Sequence, residues 1–135
     1  IDVDWSRDYI KAHIPGAGYG IRSRLAAILP KLPATNTIVF TSGDGVLAKL
    51  AAADGAKMVK QPVLALEGGT AAWRAAGLTL ESGETLMLTE PDDIRLKARE
   101  QKQDMEKAMH EYLAWEIELV NQMATDDDQR YRIIK

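Results

Sequence analysis

The sequence contains no cysteine, so neither a disulfide bond nor chemistry carried by a thiol is available to this chain. For the same reason, the redox environment of the protein cannot be inferred from cysteine usage. Only two histidines are present, so a catalytic histidine would have to be His13 or His110. Basic residues are fewer than acidic ones, 17 against 20, and the formal net charge is −3. This balance argues against nucleic acid or an anionic membrane surface as the main partner.

Long apolar runs are also missing. No run approaches the roughly 20 residues of a membrane span, and no segment has the layout of a signal peptide. We therefore expect no membrane partner and a cytoplasmic location. The 135 residues fit one domain, and the 46% of hydrophobic residues is an ordinary value for a globular chain. Because the chain opens at Ile1 inside an expected strand, we expect it to be a fragment of a longer protein.

The clearest local signals lie between residues 38 and 55. Residues 38–41 are β-branched and aromatic, which predicts a buried strand. The chain then turns through two glycines and enters an Ala/Leu-rich helix, for which we expect Asp44 as the N-cap and Gly55 as the C′ residue. In open α/β sheets, ligands bind beyond the carboxyl ends of the strands. A reaction centre, if the domain has one, is expected in this loop.

Short strands and helices alternate over the first 83 residues. Strands are predicted at 1–4, 38–41 and 63–66, and helices at 7–12, about 21–29, about 46–54 and 71–76. Ser6 is expected to cap the first helix and Gly69 or Thr70 the last, with Gly77 at its C′ position. Trp73 is expected to be buried between the last helix and the sheet. This alternation predicts a parallel sheet with helices on both faces.

The composition changes after Gly83, so we place a boundary there: residues 1–83 form the α/β domain and residues 84–135 a helical C-terminal extension. One helix is predicted from about Asp92 to Ala124. Its second half carries an apolar stripe with two further large residues beside it: Met105, Met109, Tyr112, Leu113, Ile117, Val120 and Ala124, with Trp115 and Leu119. Because this apolar arc is too wide to stand in water, we expect it to dock on the domain, on a neighbouring domain or on a second copy.

Three stretches together resemble the rhodanese-like domain. Asp2-Val3 followed by Tyr9 and residues 13–17 (His-Ile-Pro-Gly-Ala) is similar to the opening strand and turn of that family. Residues 66–77 are similar to its closing L-x-G-G-x-x-x-W-x-x-x-G signature. The resemblance covers about residues 1–83 and implies a three-layer α/β domain, with a central, mainly parallel sheet and helices on both faces. The usual first strand and helix are missing here.

In that family, the strand matching residues 38–41 leads to a catalytic cysteine, which accepts a sulfane sulfur as a persulfide. The loop's backbone N–H groups cradle this group, and basic side chains help to hold the anionic donor. Ser42 takes the cysteine position, and Gly43, Leu47 and Asp4 stand where family members often carry arginine. Only Gly45 matches the usual loop pattern. The degenerate loop consists of Ser42, Gly43, Asp44, Gly45, Val46 and Leu47.

These departures imply that the domain does not transfer sulfur. A serine hydroxyl is a weak nucleophile unless a base activates it, and Asp44 would repel an anionic donor such as thiosulfate. An engineered Cys→Ser change would explain Ser42 but not the missing arginines, so natural loss of activity is favoured. The resemblance therefore implies a catalytically silent module of a multidomain thiosulfate sulfurtransferase, acting in support, regulation or assembly. Its expected partners are sister rhodanese domains of the parent chain, or a second copy bound through the C-terminal helix.

Two other functions remain open. The first is an active enzyme: a sulfurtransferase whose cysteine is missing here or lies in a sister domain, or a hydrolase that uses Ser42 with His13. We expect His13 to be structural, because the family uses its turn to brace neighbouring loops. The second is a scaffold that acts through the C-terminal helix. We expect no cofactor and no metal, since the acidic runs Asp92-Asp93 and Asp126–Asp128 suit helix ends.

Overall fold

The computed structural model describes residues 1–94 and 105–125, and the chain forms two compact units, residues 1–94 and 95–135. The elements of the first unit are α1 (Ser6–Lys11), α2 (Leu25–Ile28), β1 (Ile38–Phe40), α3 (Val46–Gly55), β2 (Val63–Ala65) and α4 (Gly69–Ala75). Turns of 3₁₀-helix flank α2 at Arg22–Arg24 and Leu29–Lys31. The second unit contains α5 (Met105–Thr125).

The sheet is built from parallel pairs. Strands β1 and β2 pair in the register Ile38 with Val63, Val39 with Leu64 and Phe40 with Ala65. Single parallel bridges then join Thr41 to Asp2, Asp2 to Tyr19, and Tyr19 to Met87. The segments at 63–65, 38–41, 1–3, 18–20 and 86–88 therefore lie side by side in that order. This arrangement, with its helical connections, confirms the predicted α/β class.

The core of the first unit packs β1 against α2 and α3. Its buried members are Val3, Leu25, Ile28, Leu29, Ile38, Phe40, Ala48 and Ala51. Val39 is 44% exposed, so the predicted strand is not buried at every residue: successive side chains point to opposite faces, and Val39 lies on the less covered one. Gly55 is the last residue of α3 and not a C′ glycine. A Cβ there would lie 3.1 Å from the Phe40 ring, so the glycine serves close packing.

Several helix ends differ from the prediction. The helix expected from Ile21 is reduced to the single turn of α2, because the chain tightens into 3₁₀ geometry on either side. Ser6 is the first residue of α1, and Trp5 precedes it as the N-cap. Gly68, with a φ of +67°, is the N-cap of α4, in place of Gly69 or Thr70.

The C-terminal end of α4 was predicted correctly. Gly77 has a φ of +73°. Its N–H donates to the carbonyl of Arg74 at 3.0 Å, and the N–H of Leu78 donates to the carbonyl of Trp73 at 3.3 Å. This pair of bonds is the Schellman motif. The Trp73 side chain is only half-buried, and its Nε1 donates to the carbonyl of Thr79 at 2.8 Å. It is therefore not the core residue that we predicted.

The first unit continues beyond the boundary that we predicted at Gly83. The carbonyl of Leu86 accepts from the Tyr19 N–H, and the N–H of Leu88 donates to the Tyr19 carbonyl, both at 2.8 Å. The Asp93 carboxylate accepts from the N–H of Ser6 at the start of α1, also at 2.8 Å. These bonds bind the segment after Gly83 to the sheet and to α1, and the unit ends at Ile94.

The second unit is described through α5 alone. Residues 92–94 are not helical, and the remainder of the predicted helix start and its end at Asp126–Asp128 lie outside the described residues. Apolar side chains on α5 are exposed, namely Met105, Met109, Tyr112, Leu113, Trp115, Ile117, Leu119, Val120 and Met123. What this stripe docks on stays a prediction. In the described ranges, no helix has the length and apolar character needed to cross a membrane.

Candidate functional site

The loop after β1 brings Ser42 to the entrance of α3, but its hydroxyl is turned inward. Ser42 is only 1% exposed. Its Oγ accepts a hydrogen bond from the N–H of Ala48, in the first turn of α3, at 3.2 Å. A hydroxyl in this position caps the helix and does not face solvent. The geometry is that of a structural serine.

The next residue of the loop is held by an acidic side chain from the first strand segment. Oδ2 of Asp4 accepts the N–H of Gly43 at 2.6 Å, and Oδ1 accepts the N–H of Trp5 at 2.9 Å. A Cβ on Gly43 would lie only 2.7 Å from Asp4 Oδ2. Any larger residue at position 43 would therefore require the Asp4 side chain to shift. The sequence indicates only that Asp4 stands where the family often carries arginine. It does not predict the contact between the Asp4 carboxylate and the loop.

A second carboxylate lies at the start of α3. Oδ1 of Asp44 accepts the N–H of Val46, the first helical residue, at 2.9 Å. The N-cap itself is Gly45, whose φ is +82°. The prediction of Asp44 as the N-cap was therefore wrong by one position, although the carboxylate does satisfy a free N–H at this helix end. The N–H groups of Gly43, Val46 and Ala48 are all bound by oxygen atoms of the chain itself.

The turn before α4 closes on the same loop. The N–H groups of Thr70 and Ala71 donate to the carbonyls of Ser42 and Gly43, both at 2.9 Å. A Cβ on Gly69 would lie 1.8 Å from the carbonyl oxygen of Ser42. Only glycine allows this approach, so the Gly-Gly pair is a tight turn that locks the loop to α4.

His13 is buried away from Ser42 in a network of its own. Its Nδ1 lies 2.7 Å from the Tyr9 carbonyl, which can only accept, so Nδ1 carries the proton and donates. Its Nε2 lies 2.8 Å from Thr85 Oγ1 and 3.1 Å from Glu81 Oε1. The ring also stacks on Tyr9, with the centroids 3.7 Å apart. The two nitrogens link α1 to the segment at 81–85, and neither is hydrogen-bonded to the Ser42 hydroxyl.

A surface pocket of about 340 Å³ opens beside the loop at Gly43. The charged residues on its wall are Asp2, Asp4, Asp8, Lys11 and Arg74. Burial raises the pKa of Asp2 to about 6, and the charge of Asp4 adds to this effect, while the Asp4 N–H bound to the carboxylate opposes it. Three carboxylates and two basic side chains therefore line this pocket. Across residues 1–94 and 105–125, no three His, Cys, Asp or Glu side chains are arranged to hold a metal ion.

Comparisons with solved structures identify related folds. A thiosulfate sulfurtransferase from Pseudomonas aeruginosa matches with a TM-score of 0.87 and 37% identity, over 99% of this chain and 26% of that one. A Rhodopseudomonas palustris protein of unknown function, described as a possible tyrosine phosphatase, matches with a TM-score of 0.51 and 32% identity. That match covers 59% of this chain and 67% of the other.

A third structure, a Rhodanese_3-like domain from Anabaena, matches with a TM-score of 0.55 and 24% identity, over 61% of this chain and 88% of that one, and supports the fold alone. No protein-family model and no curated protein matches the sequence. The chain spans about a quarter of the length of the Pseudomonas protein, which carries the strongest of these three likenesses.

Proposed function

We infer a function from the premise that this chain belongs to the rhodanese-like family, and we propose that it is a catalytically silent module of a multidomain thiosulfate sulfurtransferase. It would act in support, regulation or assembly of sister domains that carry the catalytic cysteine. The cytoplasmic location expected from the sequence is part of this proposal.

The observation that carries the proposal is that carboxylates of the chain itself bind two of the loop's N–H groups, while the Ser42 hydroxyl is buried. Carboxylates of Asp4 and Asp44 bind the N–H groups of Gly43 and Val46. An anionic sulfur donor would need these donors and would meet two negative charges in their place. The Ser42 hydroxyl is also bound to the Ala48 N–H, so the loop offers an anionic donor neither an activated nucleophile nor its full set of backbone N–H groups.

The multidomain context is supported by the match to a longer protein. The Pseudomonas protein is named as a thiosulfate sulfurtransferase, and this chain aligns with 26% of it. The exposed apolar residues of α5 supply a surface through which a sister domain, or a second copy, would bind. A scaffold role through α5 is thus compatible with a silent loop.

The test measures sulfur transfer from thiosulfate to cyanide by the isolated chain and by the complete parent protein. We expect the isolated chain to remain at background. In the parent, replacing the loop cysteine of a sister domain should abolish activity, whereas Ser42→Ala should change kcat by less than twofold. Robust turnover by the isolated chain would refute catalytic silence, and a parent without any active loop would refute the multidomain proposal.

An active enzyme is the alternative, and the printed name of the Pseudomonas relative is what favours it. It requires that a cysteine at position 42 alone restores turnover, which the variants in the Discussion test. The Rhodopseudomonas relative is described as a possible tyrosine phosphatase. A phosphate ester is also anionic and would meet the same occupied loop, so we do not propose that activity for this chain.

A further inference from the structure

We propose that α5 pairs with the α5 of a second copy of this chain in antiparallel orientation, so that Tyr112 of each copy lies opposite Glu116 of the other. The proposal rests on the assembly role in the proposed function, and it names the partner and the geometry of that assembly. A second copy is chosen over a sister domain because the residues of this helix face complement one another.

The first observation is a heptad pattern on α5. Six residues recur at alternating intervals of four and three, which places them on one side of the helix. They form the seam of α5 and are Met105, Met109, Tyr112, Glu116, Leu119 and Met123. All six are exposed in the single chain. The seam runs along most of the 21-residue helix, and such a pattern is the one through which two helices pair side by side.

The second observation concerns the one charged member of the seam, Glu116, which lies near its middle. A hydrogen bond with Glu116, together with its charge, raises the pKa of Tyr112 one turn earlier in the helix. The carboxylate therefore has a donor among the residues of the seam itself and does not require a cation from a different protein. A single polar group in an apolar seam selects how the helices align.

The seam matches itself when two copies run in opposite directions and are centred at Ala114. Tyr112 then lies opposite Glu116 on both sides of the two-fold axis, so each carboxylate meets a phenolic O–H of the other copy. The remaining members form apolar layers, namely Met105 with Met123 and Met109 with Leu119. A parallel pair in the same register would instead place the two Glu116 carboxylates side by side, where like charges repel. The antiparallel arrangement is therefore the favoured one.

The residues beside the seam extend the apolar contact. Leu113 and Val120 lie along one flank and Trp115 along the other, and all three are exposed. In the antiparallel pair, Leu113 and Trp115 each face their own counterpart near the two-fold axis. The charged side chains of Glu111 and Glu118 lie on the far side of the helix. The pair thus has an apolar centre and a polar outer surface, as protein interfaces generally have.

Spin labels on the whole chain test the orientation. Because the chain has no cysteine, a label on Lys107→Cys, Ala114→Cys or Asn121→Cys reports one position on the outward side of α5. Lys107 and Asn121 lie seven residues before and after Ala114. In the antiparallel pair, the two labels are level with each other at 114 and are offset along the axis by about 21 Å at 107 and at 121. Pulsed electron resonance should therefore give a shorter distance at 114 than at the other two positions.

Matched variants in sedimentation equilibrium test the seam. Leu119→Asp places a carboxylate opposite Met109 of the other copy and should weaken dimerisation at least about tenfold, because a buried charge without a partner is costly. Asn121→Asp is the control: it adds the same charge on the outward side and should change the dissociation constant less than about twofold. Circular dichroism of both variants distinguishes loss of pairing from loss of the helix.

Three outcomes would overturn the proposal. A wild-type chain that stays monomeric at millimolar concentration would leave a sister domain as the occupant of α5. Equal distances at the three labelled positions would exclude the antiparallel orientation. An equal loss of affinity in Leu119→Asp and Asn121→Asp would show that net charge, and not the seam, governs association.

The sulfur-transfer assay separates this inference from the proposed function. An antiparallel dimer that transfers sulfur would refute only catalytic silence, whereas a monomer with background turnover would refute only this inference.

Discussion

The Asp4 carboxylate lies 2.6 Å from the backbone nitrogen of Gly43, a residue 39 positions away in the chain, and accepts its N–H. A Cβ at position 43 would lie 2.7 Å from the same oxygen, so glycine allows this contact without a shift of the Asp4 side chain. Both positions are ones where the family often carries arginine. In this chain the two residues contact each other instead, and a carboxylate binds an N–H of the loop.

This relationship predicts how sulfur transfer could be restored. Ser42→Cys alone should stay at background, because Asp4 still occupies the Gly43 N–H and repels thiosulfate. Adding Asp4→Ala should raise the rate at least about tenfold. A tenfold change corresponds to the free energy of about one hydrogen bond to a charged group. Ser42→Cys with Asp8→Ala is the matched control, since it removes a pocket carboxylate that does not touch the loop. The assay is thiosulfate-to-cyanide transfer, and full turnover by the single variant would contradict this account.

Replacing Gly43 or Leu47 by arginine is expected to raise the rate of sulfur transfer less than Asp4→Ala does. Gly43→Arg would meet Asp4 unless that residue is also changed. Leu47→Arg would replace a partly buried residue that packs on the core, so part of any gain would be offset by lower stability. Thermal melts of each variant, recorded beside the activity, separate these two effects.

The hydrogen bonds between the loop and α4 predict that alanine at Gly69 will destabilise the chain more than alanine at Gly77. Gly69 and Gly77 both have positive φ, +56° and +73°. Alanine at Gly77 meets no atom within 4 Å and should cost only the backbone strain, about 1–2 kcal/mol. Alanine at Gly69 would also collide with the Ser42 carbonyl, so it should cost more than about 4 kcal/mol or prevent folding. Urea denaturation measures both, and similar losses would show that the loop is not packed on α4.

Burial of Asp2 predicts a specific pH dependence. Its pKa in the folded chain, about 6, lies above the ordinary value of 3.8, so the folded state holds a proton that the unfolded state has lost. The stability contributed by Asp2 is therefore complete below about pH 4 and is lost as the pH rises through about 6. A shift of this size corresponds to about 3 kcal/mol.

Asp2→Asn should abolish this dependence and stabilise the chain above pH 6 by about 1–3 kcal/mol, because the amide oxygen can still accept the Asp4 N–H. Denaturation of the variant and the wild type from pH 4 to 8 tests it, with the more exposed Asp8→Asn as control. A free-energy difference that does not change with pH would contradict a raised pKa for Asp2.

The correct parts of the fold prediction came from local sequence patterns. The β-branched run at 38–41 and the glycine that closes α4 are recognisable within a few residues, because strand preference and C-capping depend on near neighbours. The failures involve distant contacts. Gly55 looked like a helix terminator, but it is small because the Phe40 ring approaches it. The same holds for the site. The missing cysteine and arginines are recognisable in the sequence, whereas the contact of the Asp4 carboxylate with the Gly43 N–H joins residues that are 39 positions apart.

The half-buried state of Trp73 revises the expected cost of removing it. A fully buried tryptophan would cost about 3–5 kcal/mol on truncation to alanine. Because Trp73 is partly exposed and makes one bond, from Nε1 to the Thr79 carbonyl, we expect about 1–2 kcal/mol for Trp73→Ala. Trp73→Phe keeps most of the ring contacts and should cost about 1 kcal/mol. If chemical denaturation shows that Trp73→Ala lowers the free energy of unfolding by more than about 3 kcal/mol, Trp73 is a core residue, as the sequence predicts.

The exposed face of α5 predicts association of the isolated chain. Ile117 and Val120 are each 66% exposed, and burying three side chains of this kind gains roughly 5–8 kcal/mol before ordering entropy is subtracted. We therefore expect the chain to self-associate as its concentration rises, and Ile117→Lys with Val120→Lys to remain monomeric. The stability of the first unit should change by less than about 0.5 kcal/mol, as for other surface substitutions. Sedimentation equilibrium of both proteins provides the measurement, with Asn121→Lys as a control for added charge on the same helix. If the wild type stays monomeric at millimolar concentration, α5 does not join copies of this chain, and the proposal of assembly through a second copy is refuted.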